Sequence, residues 1–265
     1  MPPQQLRAGL DPLGAFSLQG KNAVVTGAGS GIGKEIVKLF ALSGARVVAA
    51  DINLETAKKT ADEADGEVFG QALDVSDQAS VKAAFDRSAS LLGTIDVLVN
   101  CAAYRPKADF LEMPVDEWDK MHAVNARGVF LCMREAIKNM LTRQSGAIVN
   151  ISSISALRPT IFNNAHYDSS KAGVDALTRA TAVEFSGDGI RINSIRPGGT
   201  ATEGSKAIRD SGVTAKGPIT LPGRIPLKRK ATPAEIAYCA LFLSSPAAGY
   251  ITGHHLNVDG GFSIS

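Results

Sequence analysis

Cysteine is scarce: only Cys101, Cys132 and Cys239 occur in 265 residues, and they lie far apart. Three scattered thiols exclude a disulfide framework and offer no metal site. His254 and His255 have no partner at metal-ligand spacing, so no metal is expected. Long apolar runs are missing too; nothing reaches the ~18 residues that a membrane-spanning helix needs. Met1 to Gln19 has neither the apolar stretch nor the cleavage pattern of a secretory signal. Formal net charge is only +2, which gives no reason to expect nucleic acid or a membrane as a partner. A soluble, cytoplasmic protein is the expectation.

What is present is an ordinary globular composition, 45% hydrophobic and 20% charged, able to bury a full core. Residues 1–17, with Pro2, Pro3, Gly9, Pro12 and Gly14, read as a flexible arm. Residues 18–265 read as one dinucleotide-binding catalytic domain, since no repeat, low-complexity tract or linker divides them. Short apolar runs at Ala23–Val25, Arg46–Ala50, Val68–Leu73, Ile95–Val99, Ala147–Ile151, Arg191–Ile195 and Leu256–Val258 predict buried strands. Helical spacing covers Lys34–Leu42, Val81–Leu92, Glu117–Met140 and Ala172–Phe185. Such alternation predicts an α/β fold, a doubly wound parallel sheet of Rossmann type flanked by helices. The Gly- and Pro-rich stretch from Gly198 to Lys230 breaks the pattern and reads as a substrate lid at about 198–230.

Tyr167 and Lys171 are four apart, which on a helix places them on one face, one turn from each other. A free phenol titrates near ~10 and is a poor base at neutral pH. A nearby ammonium favours the phenolate, the arrangement needed to move a proton on and off an alcohol while a hydride leaves its carbon. Alone, the pair reads equally as a surface tyrosine beside a solvated lysine. Its weight comes from order: a glycine-rich turn near the start, then Asn125, Ser153, Tyr167 and Lys171.

That turn, Thr26-Gly27-Ala28-Gly29-Ser30-Gly31-Ile32-Gly33, joins a predicted strand to a predicted helix. Its glycines permit a tight turn and close backbone approach, and the helix N-terminus favours a pyrophosphate. Asp51 ends the second strand, where a carboxylate can accept hydrogen bonds from both ribose hydroxyls. A 2′-phosphate would meet like charge there, and Ser30, Ile52 and Asn53 supply no cation. The expected cofactor is therefore NAD. Asp74 and Val75 follow the third strand, placed to meet the adenine edge, although Asp74 also suits an N-cap.

Taken together these residues resemble the classical short-chain dehydrogenase/reductase family from about Leu18 to the end. Further matches are Asn100-Cys101-Ala102-Ala103, Pro197-Gly198, Pro233-Ala234-Glu235-Ile236, Tyr250-Ile251-Thr252-Gly253 and Val258-Asp259-Gly260-Gly261. The resemblance implies that Tyr167 is the general base for alcohol oxidation and the general acid for ketone reduction. It implies that Lys171 holds the nicotinamide ribose, that Ser153 hydrogen-bonds the substrate oxygen, and that Asn125 anchors a water in a proton relay. Asn100 and Ala102 would line the adenosine ribose; Pro197, Gly198 and Thr202 would grip the nicotinamide end, with Ile195 behind the ring. Two departures stand out. Ala103 replaces a glycine that tolerates positive φ, and Ser153 precedes Tyr167 by fourteen residues, one more than is usual in the family. Ser155 is the rival serine, while Ser152 is expected to face away from Ser153.

Arg105, Arg158 and His166 are the further candidate substrate contacts, with Tyr104, Lys107, Asn163 and Asn164 nearby. The lid adds Lys206, Arg209, Lys216, Arg224, Lys228, Arg229 and Lys230 against Glu203 and Asp210. Polar and basic surroundings suit a sugar, polyol or anionic sugar (a sugar acid or sulfo-sugar). The expected activity is NAD-dependent hydride transfer between a secondary alcohol or cyclic hemiacetal and nicotinamide. A 3-oxoacyl-thioester or other ketone reductase is the alternative; a catalytically silent NAD-binding sensor or scaffold is the alternative of another class. A homotetramer is implied by the resemblance, with Glu117–Met140 and Ala172–Phe185 as its dimer face.

Overall fold

The computed structural model describes residues 11, 13–203 and 216–265. Much of the predicted arm, and Lys206, Arg209 and Asp210 of the predicted lid, lie outside the described residues. Seven strands form the sheet: β1 (Asn22–Thr26), β2 (Arg46–Asp51), β3 (Val68–Ala72), β4 (Val97–Asn100), β5 (Gly146–Ile151), β6 (Ile190–Pro197) and β7 (His255–Val258). Their order is β3-β2-β1-β4-β5-β6-β7, and every neighbouring pair is parallel. Order reverses between β1 and β4, the place where open α/β sheets bind ligands beyond the carboxyl ends of their strands.

Register sorts the apolar side chains into two layers. Val24, Val48, Leu98 and Ile148 face one another across paired strands and continue to Ile192. All five belong to one buried cluster with α3 (Gln78–Leu92), α5 (Gly128–Leu141) and α6 (Ala165–Phe185). Their neighbours Val25, Ala49, Val99 and Val149 face the other side, packed with α1 (Gly31–Leu42) and α7 (Pro233–Ser244). Both faces are covered, so the strands carry unbroken apolar runs.

Among the described residues, two α-helices were not predicted. In α2 (Leu54–Asp62) only Ala57 and Thr60 are buried, so no apolar stripe marks it, yet Asn53 caps it by accepting from Glu55 N and Thr56 N. In α7 Pro233 sits at the first position, and Thr232 and Glu235 form a reciprocal capping box. The predicted Glu117–Met140 helix is not continuous. It divides into α4 (Val115–His122), a π-helical turn at Ala123–Arg127, and α5. Helix α6 begins earlier than predicted, at Ala165, so Tyr167 and Lys171 occupy its first two turns.

Candidate functional site

A cleft of about 830 Å³ opens along the carboxyl ends of β1, β2, β4, β5 and β6. Gly27, Ser30, Gly31, Ile32, Asp51, Asp74, Val75 and Ala102 line one part of it; Ser153, Tyr167, Lys171, Pro197, Gly198 and Thr202 line the rest. The glycine turn is built for close approach. Gly27 takes φ 67°, and a Cβ there would stand 2.6 Å from the backbone of Ala102. A Cβ on Gly33 would run into the carbonyl oxygen of Gly27. Thr26 Oγ1 accepts from Cys101 N (3.1 Å) and Ala102 N (3.2 Å), tying the turn to the end of β4. The start of α1 already attracts an anion, since Gly31 N donates to Glu203 Oε2 at 3.4 Å. These features fit a dinucleotide.

Asp51 accepts from Gly29 N (2.9 Å) and Asn53 N (3.0 Å), which aims its carboxylate at the turn. Asp74 Oδ1 takes both Ser76 N and Ser76 Oγ. Asn100 behaves otherwise than expected: it does not line the cleft, and its Nδ2 donates to Asn150 Oδ1 at 2.8 Å inside the sheet. Ile195 is fully buried and likewise stays behind the cleft wall. Ala103 lies outside the left-handed region, so the missing glycine causes no backbone strain. Cys101 lines the cleft, but burial pushes its thiol up to about 12, which rules out a thiolate nucleophile at neutral pH.

Ser153 lies two residues beyond the end of β5 and is 7% exposed. Its Oγ accepts from Ser155 N at 3.1 Å, leaving the hydroxyl proton free to be donated. Ser155 does not line the cleft; its Oγ pairs with Thr160 Oγ1 at 2.8 Å. Ser152 Oγ turns inward to the carbonyl of Lys171 (3.3 Å), although the residue borders the cleft. Lys171 is almost fully buried; one of its N–H bonds goes to the carbonyl of Ile151 at 2.8 Å, and its Nζ lies 5.8 Å from the Tyr167 ring centre. A second cation, Arg105, places its guanidinium carbon over the same ring at 4.8 Å from its centre.

Asn125 is wholly buried in the π turn and does not border the cleft. Its amide clamps the backbone of Tyr104, accepting from Tyr104 N and donating to Tyr104 O, both at 2.8 Å. It also donates to Ser170 Oγ at 3.2 Å. The side chain thus fixes the segment that carries Arg105 to the helix that carries Tyr167.

Arg158 and His166 require correction. Arg158 turns to the chain's far end, donating to Phe262 O (3.3 Å) and Ser265 O (3.4 Å), and does not reach the cleft. His166 has no exposed surface, and burial favours its neutral imidazole; it packs behind the site. Two cations of the predicted lid are also engaged elsewhere: Arg229 forms a two-pronged pair with Glu235 (2.8 and 2.6 Å), and Arg224 stacks on Phe262. Ile52, Lys120, Val124 and Thr200 line the cleft without having been predicted.

A family model described as enoyl-(acyl carrier protein) reductase matches residues 27–263. D-threitol dehydrogenase of Mycolicibacterium smegmatis is 42% identical over 255 residues, covering 94% of this chain and 95% of that protein. The 3-oxoacyl-(acyl-carrier-protein) reductase FabG of Thermotoga maritima is 37% identical over 253 residues, covering 93% and 99%. A solved 7α-hydroxysteroid dehydrogenase, complexed with NADH and 7-oxo glycochenodeoxycholic acid, superposes with a TM-score of 0.85 at 34% identity, covering 95% and 98%. With these matches running through nearly its whole length, the chain belongs to the short-chain dehydrogenase/reductase family, as an oxidoreductase acting on CH–OH groups.

Proposed function

We propose that residues 18–265 act as one NAD-dependent dehydrogenase for a secondary alcohol or cyclic hemiacetal on a sugar, polyol or anionic sugar. The observation that carries this reading is that Ser153, Tyr167 and Lys171 line the same cleft as Asp51 and the glycine turn. When bound, NAD supplies the hydride acceptor, the balance being CH–OH plus NAD⁺ giving C=O, NADH and one proton. Tyr167 takes the hydroxyl proton during oxidation and returns it during reduction. Ser153 donates its free proton to the substrate oxygen and holds it as charge develops. Lys171, with its Nζ 5.8 Å from the centre of the tyrosine ring, holds the nicotinamide ribose. The similarity to FabG favours reduction of a 3-oxoacyl thioester as the second reading. Asp51 speaks against that reading where the donor carries a 2′-phosphate.

The test is a panel of polyols, sugars, sugar acids, hydroxysteroids and a 3-oxoacyl thioester with NAD(H) and NADP(H), followed by nicotinamide absorbance. NAD-linked turnover of a sugar or polyol is expected, and no turnover anywhere would favour a silent NAD-binding protein. Asp51→Ala should weaken NAD by about tenfold to hundredfold, as expected for loss of charge-assisted hydrogen bonds. The same change should ease the exclusion of NADP. Equal use of both cofactors by the unaltered protein would refute the carboxylate–ribose argument.

Assembly is the remaining element of the reading. Val115, Trp118 and Phe130 on α4 and α5 and Val183 on α6 are exposed apolar side chains, which supports a homotetramer built on those helices. Light scattering at micromolar concentration should return four times the 27.7 kDa chain mass; a monomer would defeat it.

A further inference from the structure

We infer that Arg105 is the specificity-determining residue of the substrate half of the cleft, reading an oxyanion carried by the substrate close to its reacting alcohol. The inference rests on the oxidoreductase reading above and narrows it to polyhydroxylated acids. Three cations line the cleft among the described residues: Arg105, Lys120 and Lys171. Lys171 is buried and anchored to the carbonyl of Ile151. Lys120 lies over the ring of Tyr104, 4.6 Å from its centre. Arg105 alone is both exposed and stacked on the tyrosine whose hydroxyl would exchange the substrate proton.

The guanidinium of Arg105 makes no hydrogen bond and no ion pair among the described residues. Asp168, the carboxylate next to Tyr167, accepts instead from Asn164 Nδ2 at 2.6 Å. Contact with the ring, 4.8 Å from guanidinium carbon to ring centre, leaves the N–H donors without a protein partner among the described residues. A guanidinium has five donors in a fixed fork that matches two oxygens of a carboxylate, sulfonate or phosphate. The clamp of Asn125 on the backbone of Tyr104 fixes the residue next to Arg105, so the fork is presented from an ordered segment. Arg158, Arg224 and Arg229 are committed to other partners, so among the described residues Arg105 is the one arginine that lines the cleft.

The experiment uses matched ligands: four- to six-carbon polyols, the aldonates of the same length and configuration, and the corresponding polyol phosphates. Each is measured two ways, by NADH formation and by its effect on NADH fluorescence in the enzyme–NADH complex. The protein is expected to bind an aldonate or polyol phosphate at least about tenfold more tightly than its neutral polyol. Arg105→Gln should raise KM and the fluorescence Kd of the anionic ligand by about tenfold to hundredfold, while changing the neutral polyol less than about threefold. Arg105→Lys should fall between, keeping charge but losing the fork. An equal loss for anionic and neutral ligands would make Arg105 a prop for Tyr167 and overturn the inference, as would no preference for any anion in the unaltered protein. Turnover without such a preference leaves the oxidoreductase reading standing. Absence of all turnover refutes that reading, while the fluorescence titration still decides on Arg105.

Discussion

Tyr167→Phe is expected to lower kcat by about 10²–10⁴-fold, the usual contribution of a positioned acid–base group. The substitution keeps the ring, so its contacts with Arg105 at 4.8 Å and Lys171 at 5.8 Å are retained. Tyr167 is 6% exposed, and phenylalanine fills nearly the same buried volume, so folding should be disturbed little. What disappears is the hydroxyl, the only group at that position able to exchange a proton. Fluorescence titration with NADH should therefore give an affinity within about threefold of the unaltered protein, since its loss would signal a general collapse of the cleft. A Phe variant retaining more than about a tenth of turnover would show that another group, or water, carries the proton.

Ser153→Ala follows as the second large effect, with an expected loss of about 10²–10³-fold in kcat, typical of removing one donor to a developing oxyanion. The comparison that gives it meaning is Ser155→Ala. Ser155 Oγ is engaged with Thr160 Oγ1 and lies off the cleft. Its removal should cost about 0.5–1.5 kcal/mol of stability for the lost hydrogen bond and little in rate. Melting temperature and kcat should thus separate the two serines. Ser153→Ala should be seen in kcat, whereas Ser155→Ala should be seen in the melting curve. Were the order reversed, the role at the substrate oxygen would pass to Ser155.

The strands were legible because a sheet covered on both faces leaves no polar alternation to confuse with a helix, as in Ala147 to Ile151, where all five residues are buried. The cleft residues on the glycine turn and at Asp51, Ser153, Tyr167 and Lys171 were legible for a related reason. Their chemistry depends on local backbone geometry or on spacing within one element. Helix α2 was missed because Leu54–Asp62 owes its place to a cap and to contacts of Ala57 and Thr60, not to an apolar stripe. The fate of Arg158 was invisible since its partners, Phe262 and Ser265, are more than a hundred positions away. Arg229 shows the opposite failure: Glu235 is only six residues on, but the pairing requires a loop to meet a helix cap. Asn125 was found by pattern, yet its partner Tyr104 lies across a segment with no regular periodicity.

The π turn at Ala123–Arg127 amounts to a helix carrying one residue too many. Deleting a single residue there would heal Val115–Leu141 into one regular helix, and each residue removed rotates what precedes it by about 100° around the axis. Glu117, which accepts from Tyr104 Oη at 3.1 Å, and Lys120, which covers the Tyr104 ring, would both swing off that side chain. Asn125 would lose its grip on the Tyr104 backbone in the same movement. The length of this stretch is therefore as constrained as the identity of Asn125, since no flank can absorb a deletion without unhooking the segment that carries Arg105.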